Sequence, residues 1–457
     1  MQFGIDRLVE EPALLNNLGN VSIVSNQAAI GSHYQTVADT IIELSQTATN
    51  TKVISIIGAQ HGYYQTQQDN MILTNDSTYT FHTSTSTITL PLYSLYSDTL
   101  SPTEKQLENV NSIIFDLQDV GVRVYTYMAT LINIIKTISN KDITLIVLDR
   151  PNPLGLCYKD DSPNTNARWK RIEGEPTGKG FESFVSMLPI SLRHGLTMGE
   201  IGLIYTKLFC SDSVFETVTE GPSNVISSIT NNVLTCKSPL NFTYKVILVS
   251  NLKRSTPLSS LSSLPFVMPS PNLPFWECVF WYPYSVAIEA TSFSEGRGST
   301  VPFKLIGSLM EEEKVELIVN ILNRVGSAYG LAFKSHKFSP TFSKLQSQKV
   351  NGIMAFITNI DLANDAPVTS LGWLTIALLY DGNVNKWRMP NEGYEFDYER
   401  YAIDLIYGSD KFRHFAEELK LEDGEEEVLR RWKKFVEEQT VLTEQWVEKF
   451  KSSFLYK

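Results

Sequence analysis

Cysteine is scarce in this sequence: four in 457 residues, and Cys157, Cys210, Cys236 and Cys278 are too far apart for a C-x-x-C pair or a metal cluster. The four read as reduced core thiols, in line with a cytoplasmic protein. Histidine is sparse too, six with no H-E-x-x-H, so no metal site is expected. No G-x-G-x-x-G follows the first apolar run, where a dinucleotide fold needs glycines to bring its backbone up to a pyrophosphate. The string GEPTGKG, from Gly174, is one residue too short for a phosphate loop and has no Ser or Thr after Lys179. No cofactor is expected. The opening MQFGIDRLVEEP lacks the basic-then-apolar order of an export signal, and no uninterrupted apolar run approaches the ~18 residues of a membrane span. Positive charge is also short. With 39 Lys and Arg against 50 Asp and Glu, the net charge of −11 disfavours nucleic acid or an anionic membrane as partner.

What is present is an ordinary globular composition, 42% hydrophobic and 19% charged, on a chain long enough for two domains that share a cleft. Short β-rich runs cover 21–26, 52–58, 90–95, 110–119 and 143–153, and several are continuously apolar, as strands buried on both faces should be. Between them, 36–46 and 126–139 carry the spacing of helices packed on a sheet. The expectation is an α/β fold: a Rossmann-like, doubly wound, mostly parallel sheet with a second, smaller α+β domain. The polar segment 211–245 marks the boundary, giving an N-terminal domain over 1–235 and a smaller domain over 236–457 that closes the cleft. Lys159 to Gly180 reads as a loop or flap. Thr197 with Glu200 three residues on reads as a capping box, which accounts for GLTMG (195–199) better than a nucleophile elbow does.

Polarity returns at the end of each apolar run: Asn26 after the first, Gln60 and His61 after the second, Asp116, Gln118 and Asp119 in the fourth, Asp149, Arg150 and Asn152 in the fifth. Open α/β sheets bind ligands beyond the carboxyl ends of their strands, so this repetition points to one polar site.

Five strings then carry a family resemblance: GAQHGYYQ (58–65), FDLQDVGVRVYTYMATL (115–131), VLDRPNPLG (147–155), MPSPNLP (268–274) and IEATSFSEGRGSTVPF (288–303). Together with the start and end of the chain, they resemble the NamZ-type exo-β-N-acetylmuramidases, a glycoside hydrolase family. That resemblance implies a cleft between two domains and removal of terminal N-acetylmuramic acid from peptidoglycan fragments, with a muramyl saccharide as the small-molecule partner. The family's P-E-H-G motif carries the proposed catalytic Glu, and here the matching residue is Gln60. An amide can hydrogen-bond a sugar but cannot deliver a proton. The resemblance therefore leaves two alternatives, an enzyme that works through other carboxylates or a catalytically impaired muramyl-sugar binding protein.

Glycoside hydrolysis normally takes two carboxyl groups flanking the glycosidic oxygen. The expected catalytic set is Gln60, His61, Asp119 and Glu289. Asp119 is either catalytic or the ion-pair partner of Arg123, and Glu289, at the end of the strand-like run WYPYSVAIEA, is either the acid or a partner of Arg297. Arg123, Arg150 and Arg297 are candidates for gripping the lactyl carboxylate of muramic acid, because a planar guanidinium matches a carboxylate bidentately. Arg297 sits between Gly296 and Gly298, which would let it come close to a ligand. Tyr125 and Tyr127 are candidates for stacking on a sugar or for core packing. Asn26, Gln118, Asp149, Asn152, Ser270, Asn272 and Glu295 complete the substrate-binding set, with turn capping the alternative for Asp149 and turn formation for Ser270 and Asn272.

Overall fold

The computed structural model describes residues 1–68, 75–83, 86–96, 99–160, 168–209 and 226–457. Cys210, residues 161–167 of the expected flap and the first part of the polar 211–245 segment lie outside these. The early apolar runs form β1 (Gly19–Val24), β2 (Thr51–Gly58), β3 (Ser77–His82), β4 (Thr87–Ser94), β5 (Ser112–Phe115) and β6 (Thr144–Leu148). A short ladder, β7 (Tyr158–Lys159) with β8 (Trp169–Lys170), stands apart; β9 (Ile226–Thr230), β10 (Val233–Ser238) and β11 (Phe242–Ile247) follow. One nine-stranded sheet runs β3-β4-β2-β1-β5-β6-β11-β10-β9. Its central strands are parallel, whereas β3, β10 and β9 add antiparallel edges.

Both faces of this sheet are covered, which is why its strands read as unbroken apolar runs. On β5 and β6, Ile113, Phe115, Leu145 and Val147 face one core, while Ile114, Ile146 and Leu148 face the other. Helices α1 (Gly4–Glu10) and α2 (Val37–Ser45) pack with the second core; α3 (Tyr127–Ile138) and α4 (Met198–Phe209) pack with the first. The capping box is in place ahead of α4: Glu200 N–H donates to Thr197 Oγ1 at 3.2 Å, and Thr197 N–H to Glu200 Oε2 at 3.2 Å. From β1 the chain winds outward through β2 to β4, and from β5 in the other direction through β6, so the switch point lies between β1 and β5. That is where such a sheet opens its crevice.

The boundary expected at 235/236 falls inside β10, because the polar segment leads into strands that complete the sheet rather than into a linker. Past Ile247 come α5 (Leu258–Leu261) and α6 (Trp276–Ser285), then a smaller α+β unit. It holds the antiparallel sheet β12-β14-β13, made of β12 (Leu305–Ser308), β13 (Leu331–Phe338) and β14 (Val350–Ile357). Around it lie α7 (Glu312–Gly326), α8 (Val368–Leu379), α9 (Ala402–Tyr407), α10 (Lys411–Glu418) and the 26-residue α11 (Glu425–Phe450). WYPYSVAIEA is not a strand. It forms the end of α6 and a 3-10 turn, Val286–Ala290, with Pro283 inside the helix. Its aromatic and β-branched residues pack into the core that continues from the large sheet, and tertiary burial overrides their strand propensity. Among the described residues no helix is long and apolar enough to cross a membrane.

Candidate active site

The turn leaving β2 is built around left-handed residues. His61 (φ 68°), Gly62 (φ 72°) and Gln65 (φ 51°) coil the chain back on itself, a conformation that is uncommon for non-glycine residues. The His61 Nδ1 lies 2.7 Å from the Gln67 carbonyl, which only accepts, so the ring carries its proton there and Nε2 is the basic nitrogen of the neutral form. Gln60 Oε1 accepts a hydrogen bond from the Thr126 hydroxyl at the start of α3. Both side chains are nearly buried, yet they line a small cavity of about 40 Å³.

Three donors fix the wall opposite. Gln65 Nε2, Tyr125 O–H and Tyr127 O–H all donate to the Pro269 carbonyl, at 2.7, 2.7 and 2.8 Å. Asn26 Nδ2 donates in turn to the Tyr127 oxygen at 2.7 Å, so Asn26 acts from behind the wall. The two tyrosine rings meet edge to face with centroids 4.8 Å apart, and burial pushes the Tyr127 hydroxyl up to about 12. This pins the segment that carries Ser270 and Asn272, both lining the same cavity. Within it, Leu273 N–H donates to the Ser270 carbonyl, and Asn272 Nδ2 to the Gln68 carbonyl at 3.2 Å.

The smaller unit supplies charge. Arg297 pairs with Glu289, and Tyr394 O–H donates to the other Glu289 oxygen at 3.0 Å. Arg297 Nε also faces Glu295 at 3.5 Å, and Lys344 Nζ holds Glu295 at 2.8 Å. Burial alone would raise the Glu295 carboxyl, but Lys344 and Arg297 outweigh it and hold the group below its ordinary value. Arg297 keeps 29% of its side chain exposed, which leaves an edge of the guanidinium facing open space. That space is a second cavity of about 560 Å³, and Glu289, Arg297, Tyr394 and Glu395 line both hollows. Its size falls in the range of about 300–1,000 Å³ typical of small-molecule sites. Gly296 and Gly298 serve the loop rather than a ligand. A Cβ on Gly296 would lie 2.4 Å from the Leu305 carbonyl oxygen, and one on Gly298 would lie 2.6 Å from that of Phe342.

Several expected ligand contacts lie elsewhere, tied into the scaffold. Arg123 is not paired with Asp119 and does not reach the cavity: it is 1% exposed and donates to the carbonyls of Glu175, Ile190, Ile406 and Tyr407. Asp119 instead accepts from Gly121 N–H at 2.7 Å and faces His194 Nε2 at 3.3 Å, behind the cavity wall. Arg150 forms a buried ion pair with Asp116 and donates to the Ile30 carbonyl. Asn152 closes its own turn, accepting from Leu154 N–H and donating to the Leu196 carbonyl. Gln118 donates to the Asp119 and Pro151 carbonyls beside a separate surface depression. Asp149 accepts from Gly199 N–H at the start of α4 and from Tyr456 O–H at 2.6 Å. These polar groups at strand ends serve the interior, and position in sequence cannot separate them from Gln60 and His61.

Burial raises the Asp149 carboxyl from 3.8 to about 7, so the native state keeps a proton that the unfolded chain releases above about pH 4. The contribution of this group to stability is thus full below its unfolded value and declines as pH climbs toward 7. Asp149→Asn, which cannot ionise, is expected to flatten the dependence of melting temperature on pH between about 4 and 7. An unchanged slope in calorimetric scans would refute this assignment.

Comparison with known proteins places this geometry. The family model for the N-terminal part of exo-β-N-acetylmuramidase NamZ matches residues 21–277, and that for the C-terminal part matches 280–446. This chain belongs to the NamZ family. The peptidoglycan β-N-acetylmuramidase NamZ of Bacillus subtilis (strain 168) is 30% identical over 362 residues, covering 79% of this chain and 73% of that protein. Two crystal structures of DUF1343 family proteins from Bacteroides fragilis NCTC 9343 share the fold. Their TM-scores are 0.67 and 0.61 at 23% and 21% identity, over 100% of this chain and 99% of each of theirs. The two NamZ models meet between 277 and 280, inside α6, and the cavity takes side chains from both sides of that junction. Sequence reasoning missed Tyr282, Phe303, Tyr394 and Glu395 on its walls. The first three look like core aromatics in a sequence, and Glu395 sits in a charged loop that reads as solvated. Among the described residues no three His, Cys, Asp or Glu side chains are placed to hold a metal ion.

Proposed function

We propose that this chain is a glycoside hydrolase that removes terminal N-acetylmuramic acid from peptidoglycan fragments. The observation that carries the reading is a cavity lined both by Gln60, His61, Ser270 and Asn272 of the NamZ N-terminal part and by Glu289 and Arg297 of its C-terminal part. A carboxylate beside a partly open guanidinium suits a sugar that itself carries a carboxylate. Arg297 receives the lactyl group, Glu295 and Lys344 hold Arg297 in place, and His61 and Tyr125 contact the ring. Glu289 serves as base or nucleophile. The buried thiols of Cys157 and Cys278 fit a reducing compartment such as the cytoplasm.

Gln60 favours a second reading, a muramyl-sugar binding protein whose catalysis is impaired. One experiment separates them. Purified chain is given a 4-nitrophenyl N-acetylmuramide, alongside Gln60→Glu, while calorimetry follows N-acetylmuramic acid. The hydrolase reading expects nitrophenol release by the natural chain. Silence from the natural chain, with turnover restored in Gln60→Glu and the sugar bound by both, overturns it in favour of the binding protein.

A further inference from the structure

Residues 394–397 form a two-residue hairpin. Tyr394 N–H donates to the Asp397 carbonyl at 2.8 Å and Asp397 N–H to the Tyr394 carbonyl at 2.9 Å. Its central residues, Glu395 and Phe396, have φ of 47° and 69°. Two positive φ angles in a tight hairpin are the habit of Asn-Gly, and a Glu-Phe pair there stores strain. Phe396 does not explain the choice, because its ring is 42% exposed. Glu395 is 5% exposed and lines both the inner and the outer cavity, as Glu289 does, and Gln60 lines the inner one. Its carboxyl lies within electrostatic reach of Tyr96, Tyr282 and Tyr394, of which the last two line the inner cavity. The hairpin therefore spends backbone strain on a position whose side chain borders both hollows.

We infer that Glu395 is the catalytic acid of this cleft, doing the work that an amide at position 60 cannot. This rests on the hydrolase reading above. Glu289 is already engaged by the Arg297 guanidinium and the Tyr394 hydroxyl, the setting of a base or nucleophile, so the role of proton donor goes to the other carboxyl that lines both hollows. As the bond from C1 to the glycosidic oxygen breaks, its electron pair goes to that oxygen, which takes the Glu395 proton and leaves as an alcohol. Water adds its oxygen to C1, and its released proton restores the Glu395 acid.

The test uses the full chain and two substrates, a 4-nitrophenyl muramide, whose leaving group needs no proton, and an N-acetylmuramyl-N-acetylglucosamine disaccharide, whose leaving group does. Glu395→Gln is expected to lose about 10²- to 10⁴-fold in kcat on the disaccharide and far less on the nitrophenyl sugar, with the alkaline limb of the disaccharide pH profile abolished. Glu395→Asn provides a readout that a structural role would not give. Asn suits a left-handed turn position, so this variant is expected to melt higher than the natural chain while losing disaccharide turnover. Equal losses on both substrates, unchanged disaccharide turnover, or a lower melting point in Glu395→Asn would overturn the assignment. A natural chain silent on both substrates removes the hydrolase reading itself, and the Glu395 role with it.

Discussion

Glu289→Gln is expected to lower kcat by about 10²- to 10⁴-fold, a loss of roughly 3–5 kcal/mol of transition-state stabilisation. The amide keeps the shape of the side chain, and its oxygen can still accept from Tyr394, so the cavity wall stays folded. What disappears is the carboxylate to which the proposed reaction gives the role of base or nucleophile. Arg297 then keeps Glu295 as its remaining carboxylate at 3.5 Å and turns more of its charge toward the cavity. KM for a sugar bearing a lactyl carboxylate should therefore fall while kcat collapses. Steady-state kinetics of the two proteins on one muramide decide it. A kcat within about threefold of the natural chain would remove Glu289 from the chemistry.

Arg123→Met is expected to damage folding rather than binding. The guanidinium is buried, and burial lowers it to about 9, so it stays charged at neutral pH while its donors satisfy four backbone carbonyls. Each carbonyl left without a partner costs about 1–3 kcal/mol, and the total passes about 4 kcal/mol. Against the usual margin of about 5–15 kcal/mol for a domain, such a loss would lower the melting point by roughly 10 °C or prevent soluble expression. Arg123→Lys should recover only part, because a point-like ammonium cannot reach four acceptors spread around a plane. Thermal melts followed by circular dichroism test this. A normal melt combined with lost sugar binding would return Arg123 to the ligand.

The sheet was readable in sequence because strands covered on both faces must be apolar throughout, and β1, β2, β5 and β6 fall inside the runs marked for them or within two residues of their ends. The fate of the polar residues after those runs was not readable. Gln60 and His61 end in the cavity, whereas Asp149, Arg150 and Asn152, in the same kind of position after β6, are used up by Tyr456, Asp116 and a turn. Only partners distant in sequence make that difference. Glu289 was assigned to the cleft for its motif and to a strand for its neighbours' propensity; the first concerns chemistry, and the second gave way to packing. Glu395 carried no signal at all, because the strain that singles it out exists only in dihedral angles.

The bonds from Arg123 to the carbonyls of Ile406 and Tyr407, and from Arg193 to that of Ala366, join the two NamZ parts through groups that water does not reach. A seam riveted in this way works as a weld and not as a hinge. The width of the crevice is then settled when the chain folds, and whatever binds there enters a mould of fixed gauge instead of a jaw that shuts on it.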